Sequence, residues 1–265
     1  MSQLEFSNVW KEYGDQVVLE RLNLSVEEGE FCSIVGASGC GKTTFLRMLL
    51  GEEGPSRGSI ELDGKPLPDE PGPDRGVVFQ RYSVFPHMTV LQNVMLGPEL
   101  QKAPLTGRLF GQAKQAVRAN ATEVLASVGL DHALDKYPAE LSGGMQQRLA
   151  LAQSLITRPR FLLLDEPFGA LDPGIRADMH ELILDLWQQT GLTVFMITHD
   201  LQEGFYLGTR LLVFDKVRTD AQALGAYGAT VTYDLSIGST SGSTIDGIRK
   251  RVEEDVPRAM EAAAL

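Results

Sequence analysis

The apolar positions of this chain change period along its length. Near the start they fall in short runs. Residues 4–9 and 17–26 read as extended segments either side of EYGDQ, a turn. Residues 31–35 (FCSIV) form an apolar run ending at a glycine-rich loop, the pattern of a buried strand. A helical segment follows over 43–50 and Gly51 stops it. Further runs at 59–62, 76–79, 161–164, 194–197 and 211–214 predict more strands. Between 88 and 158 the texture becomes helical. Ala113, Ala116, Val117, Val124, Leu125 and Val128 mark one face of a helix that Gly129 can terminate. Met145, Leu149, Ala152 and Ile156 mark another, running to about 157 before Pro159. Met179, Leu182, Ile183, Leu186 and Trp187 mark an amphipathic helix ended near Gly191. Strands alternating with helices predict an α/β fold with a mostly parallel sheet and a helical insert over about 88–158. Residues 236–244 are Ser/Gly-rich and read as a flexible stretch, and 245–265 as a weak amphipathic helix.

At 265 residues, with 43% apolar and 22% charged positions, the chain has the composition of a soluble globular protein. Its net charge of −11 leaves no basic excess for phosphate neutralisation, so no nucleic-acid partner is expected. Cys32 sits in an apolar run and Cys40 inside the glycine-rich loop. They give neither a disulfide framework nor zinc spacing, which favours a reducing compartment; redox sensing at Cys40 is the rival use. No run approaches the ~18 apolar residues that span a bilayer, and no signal-peptide pattern opens the chain. Any service to a membrane is expected to run through a partner.

Three short motifs carry the chemistry. GASGCGKT matches G-x-x-x-x-G-K-[ST] at Gly36, Gly41, Lys42 and Thr43, with Ala37, Ser38, Gly39 and Cys40 between and Thr44 following. Its backbone N–H groups and the helix N-terminus suit a phosphate chain, Lys42 the β- and γ-phosphates, and Thr43 a Mg²⁺ ion. Asp165 and Glu166 end an apolar run, at the strand end where such sheets bind ligands. Asp165 suits the Mg²⁺ shell and Glu166 the polarising of an attacking water. LSGGMQQR at 141–148 starts a helix, with Ser142 as cap and Gly143 and Gly144 exposing backbone N–H groups. A second phosphate-binding element so far along the chain suggests service to another nucleotide.

GASGCGKT, LSGG and FLLLDEP, in that order, resemble the ATP-binding cassette ATPases over residues 4–214. That resemblance implies a P-loop NTPase core with an antiparallel β subdomain and a helical subdomain, a cassette over 1–235 and a tail over 236–265 of unassigned role. It makes Gln80 the glutamine linking Mg²⁺ and the lytic water to the transporter. It makes His199, in ITHD, a γ-phosphate contact, and Ala170, Leu171 and Asp172 the loop touching an opposite subunit. It places Tyr13 on the adenine, against the plainer reading of a turn tyrosine. Two cassettes are implied to pack head to tail, Ser142, Gly143 and Gly144 of one capping the phosphate held by Lys42 of the other.

The implied function is ATP hydrolysis, with Mg²⁺, driving transport through separate permease subunits, the cassette lying peripherally on the cytoplasmic face of the membrane. RYSVFPHMTVLQNV after Gln80 resembles importer ATPases for nitrate, sulfonate, taurine and related solutes, including urea-carboxylase-associated ones, which implies an extracytoplasmic solute-binding protein. Its apolar residues Val84, Phe85, Pro86 and Met88 are expected to receive a helix from the membrane subunit, or else to face the core. The rivals are a mechanotransmitting or lipoprotein-releasing cassette, a non-transport cassette, and a P-loop kinase, in which LSGG and ITHD have no task.

Overall fold

A computed structural model describes residues 3–80, 83–103, 107–169, 171–218 and 225–237. Two compact units divide the chain. One holds the residues up to Gly72 and from Thr193 onward; the other runs from Pro73 to Leu192.

The first unit opens with an antiparallel hairpin of β1 (Gln3–Tyr13) and β2 (Gln16–Glu27). Both strands outlast the predicted segments. Register shifts around Val9 and Lys11 let pairing continue past Trp10, where the apolar alternation fades. β3 (Phe31–Gly36) follows, fully buried up to Val35, and runs into the glycine-rich loop and α1 (Lys42–Leu50). β4 (Arg57–Leu62) adds antiparallel to β1, and β5 (Lys65–Pro66) adds to β4. Phe45 anchors α1. Its ring stacks on Phe6 at 5.1 Å and meets Phe195 and Phe214 edge-on at 6.1 and 5.2 Å. Each such pair contributes about 0.5–1.5 kcal/mol beyond burial, so the helix behind the loop is fixed from three sides.

The second unit carries β6 (Arg75–Val78), α2 (Val90–Lys102), α3 (Gly111–Ser127), α4 (Gly143–Leu155), β7 (Phe161–Asp165) and α5 (Pro173–Thr190). β6 and β7 pair in parallel. Thr89 starts α2 with a reciprocal capping box: Gln92 N–H donates to its hydroxyl (3.3 Å) and Thr89 N–H to the Gln92 side chain (2.9 Å). Among the described residues, three α-helices make up the predicted insert, of which the periodicity resolved α3 and α4.

The chain then returns to the first unit with β8 (Thr193–Ile197), α6 (Leu201–Leu207), β9 (Arg210–Asp215) and β10 (Thr230–Ser236). β8 and β9 flank β3 in parallel, and β10 pairs antiparallel with β9. β10 went unforeseen. It is tied by Arg210, whose guanidinium donates two hydrogen bonds to Asp234 (2.6 and 2.7 Å) and others to Glu30 (2.9 Å) and Ser25 O (2.7 Å). Ser236, read as the start of a flexible stretch, closes this strand; the tail from 238 and Ala170 lie outside the described residues. Among the described residues, no helix is long and apolar enough to cross a membrane.

Candidate functional site

In the first unit the loop from Gly36 to Gly41 folds around the Lys42 ammonium. Nζ donates to Gly36 O (2.7 Å) and Ala37 O (2.9 Å), and Lys42 is only 9% exposed. A cation held across the loop's own carbonyls sits at the centre of a backbone cradle. Gly36 and Gly41 adopt positive φ (151° and 85°) and are hemmed in: a Cβ would stand 2.2 Å from Phe214 O at the first and 2.8 Å from the Leu19 side chain at the second. α1 begins without a side-chain cap. Its first N–H groups and positive dipole end are therefore offered to whatever enters the loop. Ser38, Gly39 and Thr43 are exposed, Thr44 is half-buried, and Cys40 is buried. Burial raises the Cys40 thiol pKa against the opposing pull of Lys42. That makes it a poor nucleophile and weakens the redox-sensing alternative.

Tyr13 ends β1 beside this loop's helix. Its hydroxyl donates to Glu53, and Thr44 lies within hydrogen-bonding reach of the phenol. Lys11 Nζ stands 5.1 Å from the ring centroid and 3.0 Å from Glu53. Burial, then the Glu53 hydrogen bond and charge, raise the phenol pKa. Tyr13 stays 44% exposed, so a ring remains available for stacking. His199 lies exposed just after β8. Its loop is fixed by Thr198, which donates to Glu203 and accepts from Asp200 N–H (3.0 Å), while the Asp200 carboxylate caps α6.

In the second unit Asp165 ends β7 and Glu166 follows with φ 47°, a left-handed backbone that costs a non-glycine residue about 1–3 kcal/mol. Gln80 Nε2 donates to Glu166 Oε2 (3.3 Å), so two residues 86 positions apart meet. Ser142 caps α4, accepting from Met145 N–H (3.3 Å), and Ser142 and Gly143 are exposed at the helix N-terminus. The two glycines of LSGG differ. Gly143 faces open space, whereas a Cβ on Gly144 would sit 2.5 Å from Ile175 Cγ2. Gly144 is therefore required by packing of α4 on α5. Gly144→Ala should lower unfolding stability by about 1–3 kcal/mol, while Gly143→Ala leaves it within about 0.5 kcal/mol. Urea unfolding of both variants tests this, and Ile175→Ala should restore part of the loss. Equal midpoints for the two alanine variants would refute the packing role.

Two side chains in this unit escaped the sequence reading. Gln147, 1% exposed, donates from Nε2 to Pro167 O (2.6 Å) and thereby ties the LSGG helix to the Asp165–Glu166 turn. Asn93, 2% exposed, accepts from Phe85 N–H (2.8 Å) and donates to the carbonyls of Phe85, Met88 and Thr89 (3.1, 3.0 and 2.9 Å). It shapes the loop after Gln80, on which Phe85 remains 40% exposed. A polar residue in the apolar stripe of Val90, Leu91, Val94 and Met95 was the available signal. Leu171 is buried, and Asp172 precedes α5 without capping it through its side chain.

The family model described as ABC transporter matches residues 19–169. The chain is 44% identical over 214 residues to the bicarbonate transport ATP-binding protein CmpD of Synechocystis sp., covering 79% of this chain and 73% of that one. It is 46% identical over 200 residues to the nitrate import ATP-binding protein NrtD of the same organism, covering 76% and 71%. Among solved structures it is similar to a dimeric bacterial ABC transporter cassette, with a TM-score of 0.69, 30% identity, and coverage of 88% of this chain and 98% of that one. On the family match and these identities, the chain belongs to the ABC transporter family, as its ATP-binding, ATP-hydrolysing domain.

Proposed function

We propose that this chain powers the uptake of a small oxyanion through separate membrane subunits, two copies closing on two ATP molecules at the cytoplasmic face. The observation that carries the reading is the kinship at 44% and 46% identity with ATPases named for bicarbonate and nitrate. Lys42, the loop amides from Gly36 to Gly41, Thr43 and Thr44 hold the triphosphate, Tyr13 stacks on the base, and His199 reaches the γ-phosphate. The Lys42 ammonium, already held at the centre of the loop, supports this. Thr43, Asp165 and Gln80 offer the hard oxygen donors that Mg²⁺ takes, and their chemistry fits that ion. A Mg²⁺ ion held by such donors would neutralise charge on the phosphate being transferred. Glu166 accepts the proton of the attacking water, and Gln80, hydrogen-bonded to it, keeps its carboxylate turned toward that water.

Ser142 and Gly143, exposed at the start of α4, cap the nucleotide of the second copy. Phe85 and its neighbours, on the loop pinned by Asn93, receive the membrane subunit next to Gln80, so docking and hydrolysis communicate. A solute-binding protein on the far side delivers the anion. Vesicles carrying the chain with its copurifying membrane subunits, and that binding protein outside, should accumulate labelled nitrate or bicarbonate only with ATP inside. ATP-driven uptake of a cationic or neutral solute instead would overturn the oxyanion assignment and leave the ATPase standing.

A further inference from the structure

Residues 225–229, downstream of β9, lie along the edge of β2. Val17 N–H donates to Gly225 O (2.8 Å), Ala229 N–H to Val18 O (2.9 Å) and Glu20 N–H to Ala229 O (2.9 Å). Leu19 and Ala229 form a parallel bridge. The approach is close: a Cβ on Gly228 would stand 2.8 Å from the Leu19 carbonyl carbon. A side-chain lock completes it. Arg218, its guanidinium 4.4 Å from the Tyr227 ring centroid, donates to Glu20 Oε1 from Nη2 (2.7 Å) and Nε (3.2 Å). Gly228 N–H donates to Oε2 (3.3 Å). Glu20 is 6% exposed, and a carboxylate taken that far out of water needs such partners.

The residues gripped in this way are those that border the nucleotide-facing elements of the same unit. Leu19 and Val18 press on Gly41, their side chains 2.8 and 3.0 Å from where its Cβ would be. On its other edge the same stretch pairs with the end of β1, Lys11 opposite Leu19, Glu12 opposite Val17 and Tyr13 opposite Gln16. The hairpin's own ladder shifts register between Val9 and Lys11 and again between Lys11 and Glu12. A ladder interrupted three times along its length, twice near the tip, fixes that tip poorly, so position must come from outside the hairpin.

We infer that Arg218 and residues 225–229 form a clasp on β2 that sets the positions of Tyr13 and Gly41, making Arg218 and Glu20 positioning residues for nucleotide binding. This rests on the reading that Tyr13 and the loop hold ATP. The clasp acts on affinity rather than on the chemical step, because Tyr13 meets the base and Gly41 offers only backbone, while the Lys42 ammonium is held by the carbonyls of Gly36 and Ala37.

The test uses the full chain and reads KM and kcat for ATP. Arg218→Ala should raise KM about tenfold, the scale of one lost base-stacking contact, with kcat unchanged within about twofold. Arg218→Lys should recover most of the loss. In a Tyr13→Ala background Arg218→Ala should add little, since both changes remove one contact. Gly228→Ala, which wedges the clasp without stranding a charge, should reproduce the KM rise if Arg218→Ala fails to fold. An unchanged KM in Arg218→Ala and Gly228→Ala, beside a raised KM in Tyr13→Ala, overturns the clasp and leaves the ATP site intact. Parallel losses of kcat and thermal stability without recovery by lysine make the contact merely structural and also overturn it. Hydrolysis surviving Lys42→Ala would instead remove the nucleotide reading beneath both.

Discussion

Lys42→Ala is expected to reduce ATP hydrolysis at saturating Mg-ATP by about 100-fold or more, the scale of one preorganised charge in a closed site. Lys42 is the ammonium enclosed by the loop, held 2.7 Å from Gly36 O and 2.9 Å from Ala37 O and largely out of water. Phosphoryl transfer gives a protein little covalent work, so positioning and charge account for most of its rate. A triphosphate entering the cradle exchanges with those two carbonyls for the ammonium's hydrogen bonds. Alanine leaves the cradle standing, because its shape comes from Gly36 against Phe214 and Gly41 against Leu19 rather than from the lysine side chain. Near-normal turnover by the alanine protein, with its melting temperature preserved, would sink the assignment of Lys42.

Why some of this was readable from sequence and some was not follows from the range of the forces involved. The loop from Gly36 to Thr43 is set by covalent spacing: glycines at fixed offsets, a buried strand before and a helix after. All of that lies within a dozen residues. Asp165 and Glu166 were legible for the same reason, since a run of four buried residues fixes where the strand ends. β10 was not. Its pattern has exposed and half-buried positions without clean alternation, and what holds it is Arg210, 24 residues upstream of Asp234. The packing demand on Gly144 was not legible, because a glycine required by a neighbouring helix looks, in sequence, like one required by a ligand. Gln147 stands within LSGGMQQR, yet its partner Pro167 is 20 residues away and its task is visible only in three dimensions. The hairpin end at Tyr13 was half legible: the turn was evident, the contacts with Glu53 and Thr44 were not.

Glu166→Gln should separate binding from hydrolysis. The amide nearly matches the carboxylate in size but cannot take the proton of the attacking water, a loss of about 100- to 10,000-fold in turnover. The backbone at Glu166, at φ 47°, is set by the turn after β7 and by the grip of Gln147 on Pro167, so glutamine inherits the same placement. Gln80 donates to the carboxylate oxygen at 3.3 Å and can donate as well to an amide oxygen, so the pair persists. Nucleotide binding, which depends on the loop around Lys42, is untouched. With hydrolysis slowed and binding intact, ATP stays between two copies and the closed dimer accumulates. Size-exclusion chromatography of the Glu166→Gln protein in Mg-ATP should therefore show a dimer, while the unaltered protein under the same conditions shows less of it. Adding Ser142→Arg to Glu166→Gln should dissolve that dimer if, as proposed, the exposed start of α4 meets the partner's phosphate, because the arginine would occupy that place. A Glu166→Gln protein that hydrolyses at the normal rate would reassign the base, and a dimer that survives Ser142→Arg would place the interface away from the LSGG helix.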